Sequence, residues 1–409
     1  MKKLLILFFS SLLIVLLCAC SEGETNVPNE GDNAADTTSA PASETPENQT
    51  PETTAKKDTG SSLTAEGKDL RQMAVQYMYD MANVKWTATV LIDYSSKARE
   101  SLVYKPGETY LGMIYNNCKT GLESFKSVLD ADSKYTSELT NWFEAPGNSC
   151  STSIDHAWQT VSPTVNYGYT VDMMPFYPKS GVVGIGSIDW SGYNEKSTAT
   201  SVFKTNDKDT ILEAYALMKP GDALMRHLED GGHALMVTKE PKIFRNNQGK
   251  ILPERSFLYL TDQNNLLNGK REFKSSWTVD AETSFADVYK ETYLPVTVAE
   301  LRDGKTEEPT FKVANKPTKK GLESAGTIRG DITSNYNIRT FEIAIRKDSA
   351  DGEAALFVSS NPYAKEVSLK DFADKLSVKD LPAGNYVLTA DVTIGFGTER
   401  LIEVAFEKK

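Results

Sequence analysis

The sequence predicts an α+β protein, with helices packed on a small antiparallel β-barrel or sheet and a separate, mostly β unit at the C-terminus. Three observations predict it. Apolar residues recur at helical spacing between 72 and 161; short alternating runs with turn residues between them follow from 223 to 261; and a charged stretch at 305–320 separates these from a second set of alternating runs.

The chain opens with Lys2 and Lys3 before an apolar run from Leu4 to Leu17, too short to span a bilayer comfortably, so residues 1–19 read as an export signal. Residues 21–62 contain nine acids against two lysines, four prolines, and no aromatic, Ile, Leu or Met. Such a stretch cannot bury enough apolar surface to offset chain entropy, which makes 20–62 a disordered tether. The globular part then begins near residue 63. Met73, Ala74, Tyr77, Met78, Met81 and Ala82 predict a core helix running to about Trp86, and Leu122, Phe125, Val128 and Leu129 a second. A third begins at Cys150, because Ile154, Ala157, Trp158 and Val161 share a face with the sulfur and Asn148 and Ser149 are good capping residues.

Gly181 to Gly186 lacks the order and context of a nucleotide-binding loop and reads as a flexible turn. After Pro220, the runs Ala223 to Arg226, His233 to Thr238, Lys242 to Arg245 and Ser256 to Thr261 predict strands. The larger globular part therefore spans 63–304, and Lys305 to Lys320, rich in Lys, Thr, Pro and Glu, reads as a linker. In 321–409, Phe341, Ile343 and Ile345 alternate with Glu342, Ala344 and Arg346, and Tyr386 to Ile394 and Leu401 to Phe406 continue the pattern of a β-sandwich. Asp348, Asp351 and Glu353 read as solvated loop carboxylates.

The 409 residues carry 45 Lys and Arg against 56 Asp and Glu, a formal charge of -11, which sets electrostatics against nucleic acid as a partner. Loss of Lys2 and Lys3 with the signal makes the remainder more acidic still. Beyond the signal and Cys20 there are two cysteines, Cys118 and Cys150, and three histidines, His156, His227 and His233, none of them in 321–409. Cys150 at a helix start meets unpaired N–H groups and the positive end of the helix dipole, both of which favour a thiolate nucleophile. His156, six residues along the same helix, is turned about 120° from it and is a surface or structural residue. His233 follows Gly231-Gly232 and opens an apolar strand whose backbone can fix the ring, so it is the candidate base. Asp262, at the end of the next strand, would orient the imidazole; Gln263 or Asn264 could serve instead.

Leu17-Cys18-Ala19-Cys20 resembles the lipobox of bacterial lipoproteins, which implies acylation of Cys20, anchoring to the bacterial cell membrane through lipid and a site outside the cytoplasm. Asn148-Ser149-Cys150-Ser151, then Lys219-Pro220-Gly221-Asp222-Ala223-Leu224, then Gly232-His233-Ala234-Leu235-Met236-Val237, in that order, resemble the NlpC-type papain-like cysteine peptidases of bacterial cell walls. The resemblance covers roughly residues 65 to 300. It implies a papain-like fold, hydrolysis of peptide bonds in peptidoglycan stem peptides by a Cys150–His233–Asp262 triad, and no cofactor. The family usually has Asp where this chain has Ser149 and Gly where it has Thr152. Its oxyanion-side tyrosine lies in a Gly-x-x-Tyr context that Gly112-Met113-Ile114-Tyr115 matches; Tyr115 and the helix-start residue Ser151 are thereby candidates for the oxyanion and substrate side. Leu381-Pro382-Ala383-Gly384-Asn385-Tyr386 resembles the turn into a late strand of immunoglobulin-like bacterial sandwiches, a unit that would position the enzyme or bind a protein partner.

Other readings compete. Export permits a Cys118–Cys150 disulfide, or Cys150 as an inert buried thiol. His227, Glu229, Asp230 and His233 are a weaker candidate for zinc, because no helical His-Glu-x-x-His pattern accompanies them. A non-catalytic binder of wall peptides or of a protein, and an amidase cutting the sugar–peptide amide, are the alternative functions.

Overall fold

The computed structural model describes residues 61–99, 101–165, 168–177, 180–228 and 231–409. The expected export signal, Cys20 and the tether up to residue 60 lie outside the described residues, as do Glu229 and Asp230. Asp69 starts the first helix by accepting the Gln72 N–H at 3.0 Å. In chain order the elements of the larger half are α1 (Leu70–Asn83), β1 (Lys85–Thr87), β2 (Ile92–Asp93), β3 (Val103–Tyr104), β4 (Thr109–Leu111), α2 (Leu122–Lys126), α3 (Cys150–Trp158), β5 (Val182–Gly184), α4 (Ala199–Thr205), α5 (Lys208–Ala216), β6 (Ala223–Leu228), β7 (Gly231–Lys242), β8 (Phe257–Asn268), β9 (Lys274–Ser284), α6 (Phe285–Lys290), β10 (Leu294–Val298) and α7 (Ala299–Asp303).

Eight of these strands form one sheet in the order β1-β4-β9-β8-β7-β6-β10-β5, parallel only at β4–β9. The protein is thus mixed α+β and mostly sheet, and the expected small barrel is instead a broad sheet with β1 and β5 at its edges. Gly181 to Gly186, expected as a flexible turn, supplies edge strand β5: Val182–Gly184 pairs with β10, and positive φ at Gly181 and Gly186 bends the chain at either end. Lys242 to Arg245 is no separate strand; β7 ends at Lys242, and a single Arg245–Ile251 bridge closes the turn beyond it.

Helical periodicity overran in three places. α1 stops at Asn83, because Val84 turns extended and its carbonyl accepts the Gly112 N–H, which sets up the β1–β4 pairing. Trp86 then lies on β1 rather than α1, fully buried among Tyr104, Tyr110, Phe125 and Tyr135 with ring centroids 5.2–5.8 Å away, its Nε1 donating to the Gly112 carbonyl at 2.9 Å. α2 ends at Lys126. Val128 and Leu129 follow in a turn that Asp130 organises by accepting the N–H groups of Asp132 and Lys134. Val161 lies just beyond α3, buried all the same.

The C-terminal part adds β11 (Phe311–Ala314), α8 (Lys319–Ala325), β12 (Asp331–Ile338), β13 (Thr340–Lys347), β14 (Ala354–Ser360), β15 (Ala364–Ser368), β16 (Gly384–Ile394) and β17 (Gly397–Lys408). They make two antiparallel sheets, β11-β12-β15 and β14-β13-β16-β17. Ile332, Ile338 and Val367 of the first meet Phe341, Ile343, Ile345 and Leu388 of the second in one core. The 305–320 stretch is not an unstructured linker: Phe311 and Val313 alternate, pack on this core and pair as β11 with β12, and Thr318 caps α8. The end of the expected tether is likewise tied down, since the Ser62 N–H donates to Glu399 at 3.0 Å. Asp348, Asp351 and Glu353 are exposed, as expected, although Asp351 pairs with Arg400 and Glu353 with Lys347.

The described residues belong to a single compact unit, Thr59–Lys409, and its two parts are locked at a polar junction. Arg339 of the C-terminal part pairs with Glu123 of α2 and lies 4.1 Å over the Tyr77 ring, while the hydroxyls of Tyr77 and Tyr363 both donate to Glu123. Burial would push the Glu123 carboxyl up; Arg339 and the two hydroxyls more than reverse it and hold it below the usual carboxylate range. The segment after α3 is gripped as well. Thr306 donates to the Val161 carbonyl at 2.7 Å and Lys365 to that of Pro163 at 2.6 Å, and a Cβ on Gly395 would lie 1.9 Å from the Thr160 oxygen, so only glycine fits there. Arg339→Met leaves a carboxylate buried without its cation and is expected to destabilise the whole unit by about 3 kcal/mol in a single cooperative urea transition. Separate transitions, with the 61–304 part unaffected, would contradict the lock.

Candidate active site

Asn148, Ser149 and Cys150 show how the sequence builds a helix start. Asn148 is buried; its N–H donates to the Ile114 carbonyl, its carbonyl accepts the Asn116 N–H, and it forms a bridge with Tyr115. The Ser149 N–H donates to Thr152 Oγ1 at 2.8 Å, the two side-chain oxygens being 3.2 Å apart, in a capping box. Thr152 and Ser149 are thus the pair that caps α3. Cys150 is the first residue of this nine-residue helix and is 7% exposed. At the far end, Trp158 Nε1 donates to the Gly221 carbonyl at 2.8 Å, pinning α3 to the Pro220-Gly221-Asp222 turn that leads into β6. Arg71 of α1 clasps the same turn, donating at 2.8 Å to both the Pro220 carbonyl and Asp222.

His233 stands near the start of β7. Gly232 beside it leaves no room for a side chain: a Cβ there would be 1.7 Å from Thr170 Oγ1. The imidazole Nε2 lies 2.9 Å from Asp262 Oδ2 on β8. Of the three candidate orienting residues, Asp262 occupies the position, and strand parity separates the others. Asn264, on the same face, donates to Asp262 Oδ2 at 2.6 Å and to Thr278 Oγ1 at 3.3 Å; Gln263 points through the other face and donates to the Met113 carbonyl at 2.9 Å.

With Nε2 on Asp262, Nδ1 is the ring atom left for Cys150. Burial works against a charged ring here, yet the Cys150 charge, hydrogen bonds to Asp262 and Cys150, and the Asp262 charge outweigh it and raise His233 to about 10. The arrangement therefore favours the charged form of the imidazole beside the Cys150 sulfur.

Tyr115, 35 positions earlier, is carried to this point by its bridge to Asn148. Its hydroxyl is raised by burial and then by Cys150, which puts it on the Cys150 side of the site. The ring packs on Trp142 at 5.8 Å. Ser151 is buried; like Cys150, it lies in the first helical turn, whose N–H groups have no intrahelical carbonyl.

Sequence reasoning missed the opposite wall. Tyr293 packs edge-on to His233 at 6.3 Å and Arg226 lies 5.2 Å over the Tyr293 ring. Nothing local marks either residue, although the Arg226–His233 pairing follows once β6 and β7 are joined as a hairpin. His156 is structural and not at the surface: it is buried against Tyr363, its Nε2 3.2 Å from the Lys119 carbonyl, and burial lowers it to about 4. Among the described residues no disulfide joins Cys118 to Cys150, and no group of three metal-ligating side chains occurs. His227 pairs with Gly232 and Arg226 with His233, so His227 and His233 lie on opposite faces of the sheet and cannot share an ion. No protein-family model matches the chain, and neither the curated proteins nor the solved structures give a significant match.

The histidines are expected to titrate in opposite directions. His233, raised above its unfolded value of roughly 6.5, stabilises the fold fully below that pH and loses the contribution as pH rises towards 10. His156, lowered, contributes above the unfolded value and loses it as pH falls towards 4. Nitrogen-15 NMR of the ring nitrogens would show His233 still protonated at pH 8 and His156 already neutral at pH 6. Titration of His233 near 6.5 would contradict the ion pair.

Proposed function

We propose that this chain is a cysteine hydrolase of the bacterial cell envelope, held outside the cytoplasm by a lipid on Cys20, that cleaves peptide bonds in peptidoglycan stem peptides. The observation that carries the reading is His233 held between Cys150 at the start of α3 and Asp262 on β8. The order of elements supports a papain-like arrangement: a nucleophile helix packed on antiparallel strands, with the histidine and its carboxylate on adjacent ones. For the C-terminal part, an immunoglobulin-like sandwich is supported by Tyr386, whose hydroxyl donates to the Pro382 carbonyl at 3.0 Å, closing the corner into β16.

In this mechanism the Cys150 thiolate attacks the scissile carbonyl carbon, and N–H groups of the first helical turn, with Tyr115, stabilise the oxyanion. The imidazolium gives its Nδ1 proton to the departing amine as the C–N bond breaks, leaving a thioester. Neutral His233 then takes a proton from water as the water oxygen attacks the thioester carbonyl carbon, and collapse of the adduct breaks the C–S bond, releasing the carboxylic acid and leaving the Cys150 thiolate beside the His233 imidazolium. Asp262 keeps the ring oriented and compensates its charge; Asn264 keeps Asp262 in place.

Incubation of the chain with purified peptidoglycan is expected to release stem-peptide fragments whose masses distinguish cleavage between amino acids from cleavage of the sugar–peptide amide. Cys150→Ala and His233→Ala should each abolish release with the circular dichroism unchanged, and Asp262→Ala should slow it by about a hundredfold. Full release by Cys150→Ala would overturn the assignment. Specific binding of wall peptides by the unaltered chain without turnover would replace it with a binding role.

A further inference from the structure

The mechanism leaves a cation beside the imidazole unused. Arg226 on β6 is the direct cross-strand partner of His233, so both side chains leave the same face of the sheet one strand apart, about 4.8 Å. Its guanidinium sits over the Tyr293 ring, and Tyr293 in turn touches the imidazole. Tyr293 is held fast: it is 8% exposed and its carbonyl accepts the Tyr215 hydroxyl at 2.6 Å. The head group is fixed by this wall yet incompletely satisfied. Nη1 pairs with Glu291 at 2.6 Å, Nε is buried without a hydrogen-bond partner, and the side chain as a whole remains about a quarter exposed. Glu291 itself is largely in solvent, where a surface carboxylate is a weak competitor.

We propose that Arg226 is a specificity-determining residue of this cleft and receives a carboxylate of the substrate within three residues of the scissile bond. The inference rests on the hydrolase reading and names the substrate class it leaves open, an anionic peptide. The reach follows from dimensions. The guanidinium lies 5.2 Å from the centre of the Tyr293 ring and the imidazole 6.3 Å from it, which keeps the two head groups within about 11.5 Å, and an extended peptide advances roughly 3.3–3.6 Å per residue, so a carboxylate on the guanidinium belongs to one of the first three residues from the reacting carbonyl. A planar guanidinium fixed by stacking recognises a carboxylate with a charge-assisted hydrogen bond and little ordering cost, which an amide of the same shape cannot match.

The test uses the full chain carrying Cys150→Ala, so that binding is read without turnover, and two stem peptides identical except that a glutamyl carboxyl next to the scissile bond is free or amidated. Calorimetry is expected to give at least tenfold tighter binding of the free-carboxyl peptide. Arg226→Gln in that background should bring the ratio below about twofold, and Arg226→Lys should restore part of it. Glu291→Gln, which releases Nη1, should tighten the free-carboxyl peptide and not the amidated one, an effect that a merely structural arginine would not give. Equal affinities, no binding of either peptide, or a preference that survives Arg226→Gln overturns the proposal. Turnover by the chain with Cys150 intact separates the two readings: a binding preference without hydrolysis of either peptide removes the hydrolase and keeps the carboxylate site, whereas equal hydrolysis of both keeps the hydrolase and removes the site.

Discussion

The site depends on one partly buried imidazole whose charge is opposed by desolvation and favoured by its two neighbours. Left alone in that position, His233 would shed its proton, as buried His156 does despite its carbonyl partner; next to Cys150 and Asp262 it keeps the proton to about 10. The two histidines differ in the charge around them: Glu123 and Arg339 act on His156 in opposite directions, whereas Cys150 and Asp262 both favour the charged form of His233. Much of the surrounding structure serves to fix that environment: Asn264 restrains Asp262, Gly232 lets β7 pass close to Thr170, and Trp158 and Arg71 fasten α3 and α1 to the same turn before β6.

The elements of this site were legible in the sequence because each had a local physical signature. A cysteine after capping residues and before an apolar helical face specifies α3, and a Gly-Gly-His opening an apolar run specifies the strand that carries His233. The third position was not legible between Asp262, Gln263 and Asn264, since parity can be assigned only once the β7–β8 register is known. Breadth of the sheet was likewise hidden. β1, β4 and β5 are three residues each, too short to carry a period, and they are strands because of partners far away in sequence. Trp86 shows the conflict most clearly: its spacing continues the pattern of α1, but pairing with β4 and burial among four aromatic rings determine its place. In 305–320 the charged composition masks Phe311 and Val313, which alternate along the four-residue strand β11.

The C-terminal sheets carry none of the titratable groups of the site, yet they bear on it mechanically. Glu123, Tyr77, Tyr363 and Arg339 satisfy one another at the junction, and His156, on the same helix as Cys150, rests against Tyr363. Removing these sheets would expose buried polar groups and the residues that follow α3, so the helix that carries Cys150 is supported from both parts of the molecule.

The central claim is that proximity to His233, rather than exposure, makes Cys150 the reactive sulfur, and the two thiols of the globular part offer an internal comparison because Cys118 is the more exposed. The most direct measurement is limited labelling of the native chain with iodoacetamide at neutral pH, followed by peptide mapping of both sites, with His233→Ala alongside. The account predicts that Cys150 is labelled before Cys118 and that His233→Ala removes its lead; labelling of Cys118 first, or a Cys150 rate indifferent to His233→Ala, would contradict it.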